Sequence, residues 1–338
     1  MTPARSRFRF SGRGLAGLWL LLLAVAAAWA AFGPAAGRPA LVDVGLLSQP
    51  PSRQHWLGTD PFGRDVLTDL MLGTRRLFII SLPAALLASA LGLLLGAAAG
   101  YWGNTGLRVR RSAAAVLLAG LIGLLASAPA AAGWWLLGAA LATAAIYSRA
   151  AFAATVAVPL DWLVLSAAAW LGAVPRLVLV LALTALHPPA GGWLLGVLVF
   201  TCWPSTARLT RTLVQQLRRR SYVEAGRVAG YSAARLLWAH IIPNAWPSLR
   251  STLPLNLSIC LGLQTTLAFL GVGLTPDQAD WGLTLANARL EPAAWWLITS
   301  SLLALTLTIT AIYQLLPTQA SPLQTSTSLA SGMHVTKS

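Results

Sequence analysis

The chain has 338 residues, 57% of them hydrophobic and only 10% charged. A soluble domain carries about 25% charged residues and could not cover its surface with so few. The apolar runs are continuous rather than alternating and reach the roughly 20 residues a helix needs to cross a hydrocarbon layer, which excludes a transmembrane barrel. The net charge is +15, from 24 Lys and Arg against nine Asp and Glu. In a soluble chain that balance would raise nucleic acid as a partner. Here it falls mostly between apolar runs, where it sets orientation in a membrane, so no nucleic-acid partner is expected.

Residues 1–14 form a basic N-terminus with Arg5, Arg7, Arg9 and Arg13, and residues 15–32 form a first span. A basic start and an apolar core also describe a signal peptide. An uncleaved first span with its basic end inside fits better, because further spans follow. Residues 33–76 hold Asp43, Asp60, Asp65 and Asp69, broken up by Gly58, Pro61 and Gly63. Loop and short helix on the outer side are expected there. A second span runs from about Leu77 to Ala99 and ends at Tyr101 and Trp102, suited to the interface.

Arg108, Arg110 and Arg111 place the next segment inside. Two Ala- and Gly-rich runs, Ala113 to about Ala130 and Trp134 to about Ala151, read as an out-and-back hairpin that packs closely against its neighbours. A span from about Trp162 to Leu186 follows. Arg176 lies well within it beside Pro175, where an arginine costs on the order of 2.5–3.5 kcal/mol. An acidic partner, a helix broken at Pro175 or a shifted span would each account for it. Trp193 to about Thr206 leads to Arg208, Arg211 and the cluster Arg218 to Arg220.

From Gln215 to Ala239 the apolar positions Val223, Val228, Tyr231, Leu236 and Leu237 share about one helix face, and arginines with Glu224 fill much of the rest. Gly226 and Gly230 weaken such a helix by roughly 1 kcal/mol each but allow close backbone approach. Pro243 and Asn244 read as the end of this structured part. A short polar helix joined firmly to two spans suits docking of a soluble protein. An ordinary interfacial amphipathic helix is the other reading, and the residues alone do not choose. From Trp246 to about Thr275 the chain is apolar again, with Pro247, Pro254, Asn256 and Gln264 inside the run. Polar side chains at membrane depth need partners or a cavity, so Asn256 and Gln264 are candidates for a translocation path, with helix–helix contact the competing role. A last span covers about Ala293 to Leu315, and residues 317–338 form a Ser/Thr-rich tail expected to be flexible.

The expected fold is all-α and polytopic, with about eight spans and both ends inside. Cys202 and Cys260 lie in or beside apolar runs without metal-like spacing to the four histidines, and read as packing residues. The chain's only lysine is Lys337, so it lacks the lysine of a nucleotide-binding loop. No paired acids or Ser/His/Asp grouping points to an enzyme.

Four stretches resemble permease subunits of binding-protein-dependent ABC importers of the peptide/nickel branch. Glu224 to Gly230, followed by His240 to Asn244, resembles the Glu-Ala-Ala…Gly…Leu-Pro signature. His55 to Leu67 resembles the segment these permeases carry after their first span. Phe269 to Pro276, then Trp281 and Gly282, is similar to their late outer loop, and Trp203 to Arg211 to the run before the coupling segment. The match is strongest to the dipeptide/oligopeptide C-type subunit. Gly226 stands where the signature has Ala, Ile242 replaces Leu, and Gln264 stands where relatives often carry an acid. The family has six spans, so residues 107–160 are an inserted two-span hairpin within a permease domain 77–316.

The resemblance implies a heterodimer with a second permease subunit, two ATP-binding subunits below and an extracytoplasmic solute-binding protein, in a bacterial inner membrane and in contact with its lipid. The chain itself would hold no cofactor, with ATP and Mg on the partner ATPase subunits. Coupling would fall to segment 215–243, through Arg219, Arg220, Glu224, Ala225, Gly226, Gly230 and Pro243, with Glu224 capping or anchoring the helix. Gly58, Asp60, Gly63, Arg64 and Asp65 would order the outer segment. Peptides are the favoured substrate, with nickel or another small solute the alternative. An ion-coupled secondary transporter fits less well, because no internal repeat is visible.

Overall fold

The computed structural model describes residues 12–32, 44–110, 138, 142, 155–186, 191–272 and 279–314. The basic start, the body of the expected hairpin, part of the loop after Phe269 and the tail 317–338 lie outside the described residues. What is described is helical, with one short two-stranded ribbon. Four helical stretches are long and apolar enough to cross a membrane: Gly14–Phe32, Val66–Trp102, Thr252–Phe269 and Trp295–Gln314. Leu160–Ala173 and Arg176–Ala185 make a fifth if counted together, although they meet at 86°. The expected total of eight includes the hairpin and so goes beyond these residues.

The chain divides into two compact units. The first comprises residues 1–78, 268–271 and 275–338. Its helices are α1 (Gly12–Phe32), α2 (Val66–Arg76), α10 (Trp281–Asn287) and α11 (Trp295–Gln314). Ala16, Leu23, Ala27 and Ala30 form the buried stripe of α1, spaced as one helix face. The Trp19 indole donates to the Thr308 hydroxyl on α11 at 3.1 Å. α2 starts where the Asp65 carboxylate accepts from the Thr68 amide, which satisfies an otherwise orphaned donor. Asp280 does the same for α10 through the Gly282 amide. The indole of Trp281 lies on Gly73 of α2, where an added Cβ would meet it at 2.8 Å, and donates to the Leu70 carbonyl.

The second unit comprises residues 79–267 and 272–274. It contains α3 (Leu82–Trp102), β1 (Arg108–Arg110), β2 (Thr155–Ala157), α4 (Leu160–Ala173), α5 (Arg176–Ala185), α6 (Gly191–Arg218), α7 (Ser221–Val228), α8 (Ile242–Leu249) and most of α9 (Thr252–Phe269). Its centre is the α3–α6 pair. Gly92, Gly96 and Gly100 of α3, one turn apart, face the α6 backbone. A Cβ on Gly92 would meet the Trp203 carbonyl at 2.6 Å, one on Gly96 the Ala207 carbonyl, and one on Gly100 the Arg211 carbonyl at 2.8 Å. In lipid the hydrophobic effect does not drive helices together, so close van der Waals approach over small residues does. α4 leans on this pair through Val164, Ala168 and Leu171. The Asp161 carboxylate accepts two bonds from the Arg211 guanidinium, the Nη2 one at 2.6 Å.

Three boundaries differ from expectation. Helix continues from Val66, a turn-rich stretch in prospect, through a π-helical turn at Leu77–Ser81 into α3. Pro243 does not end the structured part. It lies within helix that runs on from Ala233 to Leu249, directly after a π-helical turn at Leu236–Ile241 that already interrupts the regular bonding a proline would break. The chain then turns at Arg250 and Ser251, so the following span is α9, with Pro254 in its first turn. The Arg176 problem resolves locally: Val174 is extended, and Arg176 opens α5 rather than lying inside one straight helix.

The segment expected to be an inserted hairpin has its two ends tied together. β1 and β2 pair antiparallel, Arg108 with Ala157 and Arg110 with Thr155. The Val158 amide donates to the Leu107 carbonyl, and the Trp162 amide to the Asn104 side chain. The chain therefore leaves and returns at one place, immediately before α4.

Gly96→Leu forces a branched side chain against the α6 backbone and should cost on the order of 3 kcal/mol. Detergent melting should show a large loss for Gly96→Leu and little change for Gly196→Ala, since nothing lies near Gly196.

Candidate functional site

Two constellations hold most of the predicted site residues. The first is built around Asp60 in the first unit. Its carboxylate is buried and accepts from the amides of Phe62 (2.9 Å) and Arg64 (2.8 Å) and from the Asn287 side chain (3.1 Å). Its backbone amide donates to the Arg64 carbonyl. Gly63 has φ 77° and closes this turn. Asp65 accepts from the Thr68 amide through one oxygen and from the His55 ring through the other, at 2.8 Å. Gly58 has φ 74°, and a Cβ there would meet the Gln49 carbonyl at 2.6 Å and the Trp296 indole at 2.8 Å. That indole donates to the Thr59 carbonyl, and the Thr59 hydroxyl donates to the Leu46 carbonyl. Gly58, Asp60, Gly63, Arg64 and Asp65 thus belong to one knot in which backbone donors meet fixed carboxylates. Thr59, Asn287 and Trp296 complete it without having been singled out in the sequence. Trp296 follows Trp295 in an aromatic pair, but nothing local marks Asn287.

The second is the polar segment. α6 runs to Arg218, whose guanidinium lies over the Tyr101 ring at 5.5 Å. Arg219 and Arg220 make an exposed turn, and α7 begins with Arg220 as its N-cap residue and no side-chain cap bond. Glu224 is exposed in the first turn of α7, where a negative charge favours the helix dipole. Among the described residues its side chain makes no hydrogen bond, so any anchoring is electrostatic rather than a cap.

Val223 and Gly226 form the buried side of α7. Val223 packs with Ala97, Tyr101, Val214, Leu236, Leu237 and Ile241. A Cβ on Gly226 would meet the Leu236 side chain at 2.7 Å, so glycine lets α7 lie close on that cluster. The helix ends in a Schellman motif: the Tyr231 amide donates to the Gly226 carbonyl and the Gly230 amide to the Arg227 carbonyl. Gly230 takes φ 78°, which a glycine adopts without strain. The other face carries Tyr222, Glu224, Ala225, Arg227 and Val228, all exposed, with Val228 at 91%. Pro243 lies beyond it, at the start of α8.

Asn256 and Gln264 are both buried on α9. Asn256 donates to the Ser89 hydroxyl of α3 (2.9 Å) and the Thr206 hydroxyl of α6 (3.0 Å), and accepts from Ser205. The Ser81 hydroxyl donates to Gln264 at 2.7 Å. Among the described residues no three His, Cys, Asp or Glu side chains come together to hold a metal ion.

Residues 146–320, just over half of the chain, match the family described as "Binding-protein-dependent transport system inner membrane component". A Brucella suis biovar 1 (strain 1330) protein, whose name makes it a candidate peptide transport system permease, is 29% identical over 88% of this chain and 82% of its own length. The oligopeptide transport system permease protein of Bacillus subtilis (strain 168) is 26% identical over 87% of this chain and 78% of its own. The glutathione transport system permease protein of Pectobacterium atrosepticum is 26% identical over 81% and 73%.

Asp60→Ala removes three hydrogen-bond acceptor contacts, leaving the part-buried amides of Phe62 and Arg64 and the buried Asn287 side chain without this partner. It should destabilise the protein by about 2–3 kcal/mol. A thermal melt in detergent, with Asp60→Asn retaining part of the loss, checks this.

Proposed function

The chain belongs to the binding-protein-dependent transport system inner membrane components, and from that premise we propose that it is the C-type permease subunit of an ATP-driven peptide importer. As a family member it is a multi-pass inner-membrane transport protein rather than an enzyme. In the proposed assembly it forms half of an alternating-access path with a second permease subunit. Two ATPase subunits bind ATP and Mg beneath, and an extracytoplasmic binding protein delivers the solute. Both termini, segment 215–243 and the β1–β2 ribbon then face the cytoplasm, and residues 33–76 face outward.

The observation that carries this reading is the two-sidedness of α7. One side is seated on a buried cluster built from α3, α6 and the stretch 236–242, while the other presents Tyr222, Arg227 and a fully exposed Val228. An interfacial helix would instead turn its apolar residues to one side. A helix held from behind, with a protruding apolar tip ringed by charge, suits a cleft on a soluble partner. Arg219, Arg220, Glu224 and Ala225 would lie on the contact. Gly226 would let the helix sit low, and Gly230 would turn the chain away from the cleft. α6 leads into α7 and is packed without gaps on α3, so a displacement of α7 passes into both helices. Asn256 and Gln264 would line the path where α9 parts from α3. The peptide assignment is supported by relatives named for oligopeptide, dipeptide and glutathione transport.

Val228→Asp and Glu224→Arg should each reduce peptide uptake by roughly tenfold or more, with the chain still inserted and the ATPase subunits lost on co-purification. Gly230→Pro should abolish uptake, because it removes the amide bonded to Arg227 and excludes the required φ. Normal uptake together with normal ATPase association in these variants would sink the coupling assignment.

A further inference from the structure

Cys202 on α6 and Cys260 on α9 are the chain's only cysteines, and both are 0% exposed. Their sulfurs lie 3.8 Å apart on different helices, with the Cys260 thiol directed at Cys202. The pair sits among Ile80, Ala84, Ala88 and Leu198. Cys202 is about 16 Å along α6 from Gly191, near the middle of a bilayer-spanning length. The Asn256 amide, one turn before Cys260, bonds Ser205 and Thr206, one turn after Cys202. The two helices are thus held in register at the level of the thiols.

We propose that Cys202 and Cys260 are a dithiol–disulfide modification site that locks α6 to α9 when oxidised. A disulfide needs sulfurs about 2.05 Å apart, and these two are already in contact at 3.8 Å. Neither thiol is exposed in this conformation, so the oxidant must partition into the bilayer and meet the pair when α6 and α9 part. A membrane quinone meets that requirement. Both S–H bonds break, one S–S bond forms, and the two electrons and two protons pass to the quinone oxygens to give the hydroquinone. Two thiols and one quinone become one disulfide and one hydroquinone.

The position of the bond gives it a consequence, which rests on the coupling role proposed for α7. α6 leads into α7, and α9 follows it through α8, so the cysteines stand on the two legs that flank the coupling segment. In the reduced protein those legs meet through van der Waals contact and the Asn256 hydrogen bonds, which can exchange. A covalent bond at the same level prevents α6 and α9 from separating and arrests transport, so a strongly oxidised membrane shuts the importer reversibly.

The test uses the full-length chain with its partner subunits in native membrane vesicles. The vesicles are treated with a fully ring-substituted, lipid-soluble benzoquinone, which cannot add to thiols, then denatured in excess maleimide and digested. The expected product is a Cys202–Cys260 linked peptide two hydrogen masses lighter than its reduced parts. Recovery of both cysteines as maleimide adducts, when added dithiothreitol in the same vesicles is oxidised, overturns the proposal. Uptake of a labelled tripeptide should fall roughly tenfold on oxidation and recover with a membrane-permeant reductant. Cys202→Ala and Cys260→Ala should each keep their uptake under the quinone. A disulfide that forms without slowing uptake overturns the lock and leaves the coupling reading standing. That reading fails separately, through the Val228 and Glu224 variants in reduced vesicles.

Discussion

Between α3 and α6 there is no room for a side chain at Gly92, Gly96 or Gly100, and the rest of the second unit depends on that closeness. Helices surrounded by lipid gain little by hiding apolar surface, so contact area at short range and hydrogen bonds between helices must hold them. Three glycines one turn apart supply the first. The α6 carbonyls and the Thr206, Thr210 and Val214 side chains occupy the space that β-carbons would take. Asn256 supplies the second, tying α9 to both members of the pair through Ser89, Thr206 and Ser205. Asp161 and Arg211 fasten α4 at the end of the pair that bears the polar segment.

At that same end of the pair the chain between α3 and α4 closes on itself. The chain leaves after Trp102, and the ribbon Arg108–Arg110 with Thr155–Ala157 brings it back. Gly103 and Asn104 then meet Asp161 and Trp162 as they would across a short link.

How much of the site could be read beforehand varied with the range of the interactions. The special roles of Gly58, Gly63 and Gly230 follow from local backbone conformation, and glycine is the residue that signals it. Asp65 as a helix start is local in the same way. Gly226 was visible as a departure from a signature, but its reason is the Leu236 side chain ten residues on, which only packing brings near. The partners of Asp60 and Gly58 are more remote still. Asn287 and Trp296 come from the far end of the chain, and no periodicity links them to a turn before α2. The α3 glycine ladder was present at its helical spacing, yet spacing alone does not say which neighbour it receives. Pro243 misled for a related reason: a π-helical turn just before it lets the helix run on through the proline.

Composition and the lengths of the apolar runs were enough to establish a helical chain built for a membrane, since few charges and continuous hydrophobicity leave no soluble alternative. Motif order was enough to indicate the family, because short linear signatures survive in sequence. The break at Val174 and Pro175 was one of several readings until the backbone selected it. Which face of α7 is seated and which is presented, the hydrogen bonds of Asn256 to Ser89, Ser205 and Thr206, and the meeting of Cys202 with Cys260 were decided by tertiary structure alone. Each depends on pairs of residues far apart in the chain, and in a membrane such pairs are chosen by how closely two helix surfaces fit rather than by how apolar either one is.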